Sequence, residues 1–383
     1  MLPFQLQRKP GDPFVNRGLP GPMEMMNHGA MRIVRTKVAG KRVQPRLFHK
    51  VLLGFFLFVL PLISSGILLA AERRLQIGFV SFVPGVAPLW VASDRRFFAQ
   101  EGLDPELVFI GTAPTMVASL MARETPLALT AGTAVMSAIA GGAPLKILAT
   151  FTNWLTVDLI ARPGIARPED LRDKRIGVQS IGGGIWMQAL LALERTGLET
   201  TRDRLHLQVI GPQAQLAKAL ENGVIDATVL PPAFSRPLKA RGFPVLLEVR
   251  NTSIPLTVNS LIALKETAEQ SPQLIEAALR GLLRALAFIH RLGNREAVIQ
   301  ILQQRMRVER AAAEEAYLEA LETLDRKPYP SLDGLSNIRR MLARANAKAA
   351  AIRLEDVADT RALRRLDESS FIDALYAAPS SGR

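Results

Sequence analysis

The chain has 383 residues, no cysteine and a formal net charge of +13, a length that calls for more than one compact core. The lack of cysteine excludes a disulfide framework, thiol catalysis, sulfur-ligated metals and a lipoprotein anchor. Residues 1–74 hold 12 Lys or Arg against 3 acids and residues 75–383 hold 36 against 32, so the folded part lacks the concentrated basic face that nucleic-acid binding needs.

In chain order, residues 1–50 read as a basic, mostly disordered leader, rich in Pro and Gly from Leu2 to Ala30. Residues 51–71 are 21 positions without a charge, and a helix of that length spans about 30 Å of hydrocarbon. Ten basic residues precede the run against two acids, which holds the N-terminus in the cytoplasm and exports the rest. The run is a signal-peptide core or an uncleaved membrane anchor. Leu69-Ala70-Ala71 offers a small residue for cleavage, while Met23, Met25, Met26 and Met31 offer later starts. The expected location is the periplasm, with a tether to the inner membrane through 51–71 if the run is retained.

From Leu75 onward the chain states one pattern twice. Ile77-Gly78-Phe79-Val80-Ser81 opens a strand, a loop, a helix closing at Glu101-Gly102-Leu103, a strand ending at Ile110-Gly111 and a second helix. Ile176-Gly177-Val178-Gln179-Ser180 opens the same series, through Thr196-Gly197-Leu198 to Ile210-Gly211. The copies stand 99 residues apart at the serines and 100 at the last glycines. Two copies of a β-α-β-α unit predict two similar lobes of an α/β protein, with a ligand between them. Strands are expected near 75–80, 106–110, 127–130 and 145–150, with a crossing segment at 156–161 and a return at 256–264. The resulting division is lobe I over 75–160, lobe II over 161–255, and a return to lobe I with C-terminal helices over 256–383. Those helices are expected at 268–292, 295–306, 309–324, 333–351 and 360–376, packed on lobe I or standing as a separate helical domain.

Ligands of open α/β sheets bind beyond the carboxyl ends of the strands. That rule selects residues 81–89, 111–115 and 130–133 in lobe I and 180–186, 211–215 and 230–233 in lobe II. None of these loops contains Lys, Arg, Asp or Glu in a chain that is 22% charged. The candidate ligand-binding residues are therefore Ser81, Phe82, Trp90, Gly111, Thr112 and Thr133, then Asn153 and Trp154 at the hinge. In lobe II they are Ser180, Gly182, Gly183, Gly184, Trp186 and Pro231. Gly182-Gly183-Gly184 lets backbone N–H groups approach a ligand at a helix N-terminus, yet neither the P-loop lysine nor the dinucleotide spacing is present. The three tryptophans, Trp90, Trp154 and Trp186, all fall in or beside these segments and suggest a partly aromatic pocket. Outside the leader only His206 and His290 remain, without partners at metal-ligand spacing or a nucleophile elbow. Asp158 is the one charge near the hinge.

Several segments in order carry a resemblance. Ala87-Pro88-Leu89-Trp90-Val91-Ala92 and Phe97-Phe98-Ala99-Gln100-Glu101-Gly102-Leu103 resemble the opening of the periplasmic substrate-binding proteins of nitrate, sulfonate and taurine ABC transporters, relatives of the thiamine-pyrimidine-synthase-like fold. Arg162-Pro163-Gly164-Ile165 with Asp170 to Val178, Gly223-Val224-Ile225-Asp226-Ala227, and Phe371-Ile372-Asp373-Ala374-Leu375 resemble later elements of that family. At Glu124-Thr125-Pro126-Leu127 the chain departs from the family's repeated Gly-x-x-Asp element. The resemblance implies a bilobal type II periplasmic binding protein fold: two mixed-sheet, Rossmann-like lobes with a hinge and a helical extension on lobe I.

It further implies a non-catalytic, monomeric part of an ABC transporter that passes a small solute to permease subunits, with no cofactor or metal. The uncharged loops favour an aromatic or heterocyclic solute, or an anion such as a sulfonate held by N–H groups alone. The alternatives are a pyrimidine-precursor-synthase-type enzyme on the same fold and a membrane-anchored sensor or assembly protein.

Overall fold

The computed structural model describes residues 75–249 and 252–377. The leader and the apolar run 51–71 lie outside the described residues, with the cleavage and tethering expectations attached to them. Among the described residues no helix is long and apolar enough to cross a membrane.

Lobe I contains β1 (Gln76–Phe79), α1 (Ala87–Asp94), α2 (Phe97–Gln100), β2 (Glu106–Phe109), α3 (Ala113–Met121), β3 (Leu127–Thr130), α4 (Gly132–Ala140) and β4 (Leu145–Trp154). The chain crosses into β5 (Asp158–Ala161) and builds lobe II from β6 (Arg175–Val178), α5 (Gly184–Arg195), β7 (His206–Val209), α6 (Gln213–Glu221), β8 (Ala227–Leu230), α7 (Pro232–Ala240) and β9 (Val245–Leu247). The long strand β10 (Pro255–Leu264) then returns to lobe I. Two five-stranded sheets result, ordered β2-β1-β3-β10-β4 and β7-β6-β8-β5-β9. In each, three parallel strands meet an antiparallel strand that arrives from the hinge.

The duplication seen in the sequence is geometric as well. Helices α3 and α6, and α4 and α7, begin and end 100 residues apart. Burial repeats with them: β1 and β6 each carry one half-buried residue followed by three buried ones, and β3 and β8 are buried throughout. Strands buried on both faces need apolar side chains at every position, which is why these segments read as short runs without alternation.

One element is not duplicated. Asp226 is buried and accepts hydrogen bonds from the Arg162 side chain (2.8 Å) and from the Arg175 backbone and side chain (both 2.9 Å). It thereby clamps the entry into lobe II against the edge of β8. The matching position in lobe I is Pro126, which offers no acceptor side chain.

The C-terminal part forms α8 (Lys265–Gln270), α9 (Pro272–His290), α10 (Arg295–Met306), α11 (Arg310–Thr323), α12 (Leu332–Ala343), α13 (Ala347–Ala350), α14 (Arg361–Glu368) and α15 (Phe371–Tyr376). The helix expected over 333–351 is broken where Asn346 caps α13 by accepting from Lys348 N–H (3.1 Å). The one expected over 360–376 is broken at Ser370, whose φ of 60° is left-handed. Helices α9, α10 and α11 bury their apolar faces with α1 in the core of lobe I. They are not confined to that lobe, however. Arg236 of α7 pairs with Glu315 of α11, and Arg340 of α12 makes a bidentate pair with Glu194 of α5 (2.8 Å to each oxygen).

The Arg175 guanidinium, with the Arg175 backbone N–H, holds the Asp226 carboxyl down to about 2 from an ordinary 3.8. Its contribution to stability is therefore complete above about pH 4 and is lost as pH falls toward 2. Asp226→Asn is expected to lower the urea midpoint at pH 7 and to flatten the loss of stability between pH 4 and 2. Urea titrations across that pH range check it; parallel wild-type and variant curves would contradict it.

Candidate functional site

The carboxyl ends of the parallel strands of both lobes face one another, and a cavity of about 540 Å³, its mouth included, lies between them. The space within it that a water-sized centre can occupy is about 50 Å³, smaller than the usual small-molecule site. Its wall takes residues from five of the six uncharged loops singled out in the sequence: Ser81 and Gly85, Ala131, Gly184 and Ile185, Gln213, and Pro231. The hinge supplies Thr156 and Val157, strand β10 supplies Val258 and Asn259, and α11 supplies Glu319 and Thr323.

Of the expected site residues, Ser81, Gly184 and Pro231 line this cavity. The others lie elsewhere for identifiable reasons. Trp90 is fully buried in the core of lobe I, edge-on to Phe79 and stacked on Phe82, each at 6.1 Å between ring centroids. Helix α1 is buried along residues 87–92, so its tryptophan has no route to the cleft. Trp186 is half-buried against lobe II's core, and Trp154, at the end of β4, is 45% exposed. The cavity wall therefore carries no tryptophan, in place of the aromatic pocket expected from their positions. Thr112 caps α3 through Thr115 N–H (3.3 Å), and Thr133 is fully buried. Asn153 donates to Asp325 (2.8 Å) and the Tyr329 carbonyl (2.7 Å) and accepts from Ser331 N–H (2.8 Å), tying β4 to the segment before α12. Asp158 accepts from Ser235 (2.5 Å) and Val249 N–H (2.8 Å), a structural role on β5. His206 is exposed on β7, and His290 sits on α9 with Nδ1 2.9 Å from the Leu286 carbonyl oxygen.

The glycine-rich loop serves mainly to let the lobes meet. A Cβ placed on Gly184 would stand 2.7 Å from the Ala131 Cβ of lobe I, and one on Gly183 would stand 2.7 Å from Ser180 Oγ and 3.8 Å from the Ala113 Cβ. Gly182 takes a left-handed φ of 78°. Beside this contact, Gln179 Nε2 donates across the gap to the carbonyls of Val80 (3.0 Å) and Gly111 (3.1 Å) and receives Gln213 Nε2 on its own oxygen (3.4 Å).

Gln188, one helical turn after Gly184, accepts on Oε1 from Thr156 N–H (3.0 Å) and Thr156 Oγ1 (3.2 Å). The amide thus fixes the first hinge crossing and keeps its N–H pair for other partners. Asn259 donates to Thr152 (3.3 Å) beside the second crossing. Gln179, Gln188, Gln213, Asn259 and Glu319 were not among the expected site residues. Gln188 was legible as the i+4 neighbour of Gly184, and Asn259 as an amide inside an apolar strand. Glu319 had no such signal, since it is one of several glutamates on α11.

Glu319 is 7% exposed. Its carboxyl lies beside the Ala233 backbone N–H at the start of α7, and no described group hydrogen-bonds its Oε2. Burial, reinforced by the nearby Asp158 charge, pushes its pKa up to about 8, against the opposing influence of Ala233 N–H and Arg236. Among the described residues no group of three or more His, Cys, Asp or Glu is placed to hold a metal ion.

Two like lobes, two hinge crossings and a cavity between them define the fold of the periplasmic solute-binding proteins. The NMT1/THI5-like family profile matches residues 83–292, and the chain belongs to that family. No curated protein matches the chain. Among solved structures it is similar to a protein from Bordetella bronchiseptica RB50, at 19% identity and TM-score 0.66, over 78% of this chain and 98% of that one. It is similar also to the alkanesulfonate-binding protein of Xanthomonas axonopodis pv. citri bound to MOPS, at 18% identity and TM-score 0.58, over 74% and 96%. The periplasmic nitrate-binding protein of Synechocystis PCC 6803 aligns at 16% identity and TM-score 0.61, over 80% and 92%. At these identities the likeness is one of fold.

Because Gly184 meets Ala131 so closely, Gly184→Val is expected to wedge the lobes apart. Small-angle scattering should give a larger radius of gyration than wild type with an unchanged melting transition; an unchanged radius would contradict the lobe contact.

Proposed function

We propose that this protein is the solute-binding component of an ABC importer, working outside the cytoplasmic membrane as a single chain. It captures one small solute between its lobes and presents the closed form to permease subunits. The observation that carries the reading is the cavity set between two lobes that Gln179 draws together. Its wall sets amides, hydroxyls and one carboxyl among apolar residues such as Val80, Val83, Ile185 and Val258, groups that recognise a solute through hydrogen bonds and apolar contact and supply no nucleophile activated by a neighbouring base. Family membership adds weight, since the alkanesulfonate- and nitrate-binding proteins share the fold.

Closure follows from differential contact: a solute that bridges Gln188 and Asn259 on the hinge side and the Ser81 and Pro231 loops on either lobe binds the closed form better than the open one. The synthase-type reading finds no base beside the cavity hydroxyls to activate one of them as a nucleophile, and Glu319 alone makes an acid without a partner base.

A receptor is expected to bind its solute one to one, to gain melting temperature on binding, and to release the solute unchanged. Calorimetric titration followed by mass analysis of the released compound checks this. Chemical conversion of the bound solute would contradict the receptor reading.

A further inference from the structure

Three helices of lobe II start at the cleft. Their N-termini are the places where a sulfonate or nitrate group would ordinarily find N–H donors and a favourable dipole. At α7 that place is taken. Pro232, the first residue of α7, has no N–H to give, so Ala233 carries the first free donor of the helix. The Glu319 carboxyl lies beside it. The protein thus seats its own acid where an anionic head group would sit.

The rest of the wall gives an anion no positive charge. The cavity lining contains no Lys, Arg or His, and Glu319 is its only ionisable side chain. The nearest cation, Arg236, is paired with Glu315. Gln179, which could donate to an anion, spends both N–H bonds on the Val80 and Gly111 carbonyls. What the wall does offer is an unmet acceptor, since Glu319 is more than nine-tenths buried and no described group hydrogen-bonds its Oε2. A buried acceptor left unmet costs about 1–3 kcal/mol, and a solute that supplies a donor recovers it.

Resting on the receptor reading above, we infer that the cleft takes a solute with a cationic or N–H-donating nitrogen head group, an amidine or an amino-substituted nitrogen heterocycle, received by Glu319, and that it rejects sulfonates and nitrate. The groups that face Glu319 are Asp158 on β5, Arg236 on α7 with its partner Glu315, and Glu322 on its own helix. Near neutral pH the carboxyl is largely protonated and donates its proton to a heterocyclic nitrogen, or gives it up when a cation binds. Affinity for a cation therefore rises as pH climbs toward and past 8.

The test titrates the purified protein with benzamidine and 4-aminopyridine, and separately with benzenesulfonate, ethanesulfonate and nitrate, by thermal shift and calorimetry at pH 6.5 and pH 9. At least one nitrogen base is expected to bind, more tightly at pH 9. Glu319→Gln, which keeps the size and removes the charge, is expected to weaken that binding by about tenfold or more, the scale of a lost charge-assisted hydrogen bond. Wild-type binding of a sulfonate or nitrate with no response to the bases overturns the assignment of solute class and leaves the receptor reading standing. Binding of the bases that is indifferent to Glu319→Gln overturns the role of Glu319. If no compound of either set binds, the class assignment falls, and the receptor reading falls with it. The wild-type preference between the two sets decides the class even if the variant fails to fold.

Discussion

The Gln179 amide reaches from the end of β6 in lobe II to the carbonyls that end β1 and β2 in lobe I. Everything else about the site depends on that crossing. Carbonyls at strand ends have no partner within their own sheet, so in a closed cleft they need a donor from outside it. Gln179 supplies that donor to two of them at once, and each such bond contributes about 0.5–1.5 kcal/mol. Opening and closing equilibria are themselves balanced within a few kcal/mol, so two bonds are enough to matter. Residues 182–184 make the approach possible by having no side chain where the lobes touch.

Closure then sets the chemistry of what is enclosed. Burial leaves Glu319 in a poor medium for charge, and its raised pKa expresses that desolvation before any neighbour's influence. The carboxyl is held there by a helix that belongs to lobe I's core, beside the Ala233 N–H of lobe II. Helix α11 is thus more than a cover: Tyr317 and Ala320 bury in lobe I, Glu315 pairs with Arg236, and Glu319 turns into the cavity. A C-terminal segment that looked like packing material supplies the one ionisable side chain of the cavity lining.

The division into two lobes was legible because a duplicated βα unit leaves duplicated signals: Gly-rich strand ends, helix-closing glycines at 102 and 197, and apolar strands of one length. The cleft loops were legible for the same reason, since strand order fixes where they end up. Individual site residues were harder to read. A tryptophan at a helix start signals a large ring, but whether it faces a ligand or a core depends on what packs against that helix. Trp90 meets Phe79 and Phe82 close by in sequence and also the C-terminal helices, which lie far from it along the chain. Glu319 was illegible for the complementary reason, because glutamates on one helix differ only in what lies opposite each of them. Amides escaped notice because Gln179 and Gln188 act through geometry, in register with a carbonyl or a hinge N–H, and carry no compositional mark.

The central claim is that the Gln179 amide holds the lobes together over the cavity. The chain has no native cysteine, so spin labels can be placed singly at Ala118→Cys on α3 and Lys218→Cys on α6, exposed and equivalent positions in the two lobes. Pulsed electron-electron distance measurement on this pair, with and without Gln179→Leu, tests the claim directly. The account predicts a narrow short-distance population in the parent that broadens and moves to longer distances when Gln179 is replaced. Superimposable distributions would contradict it.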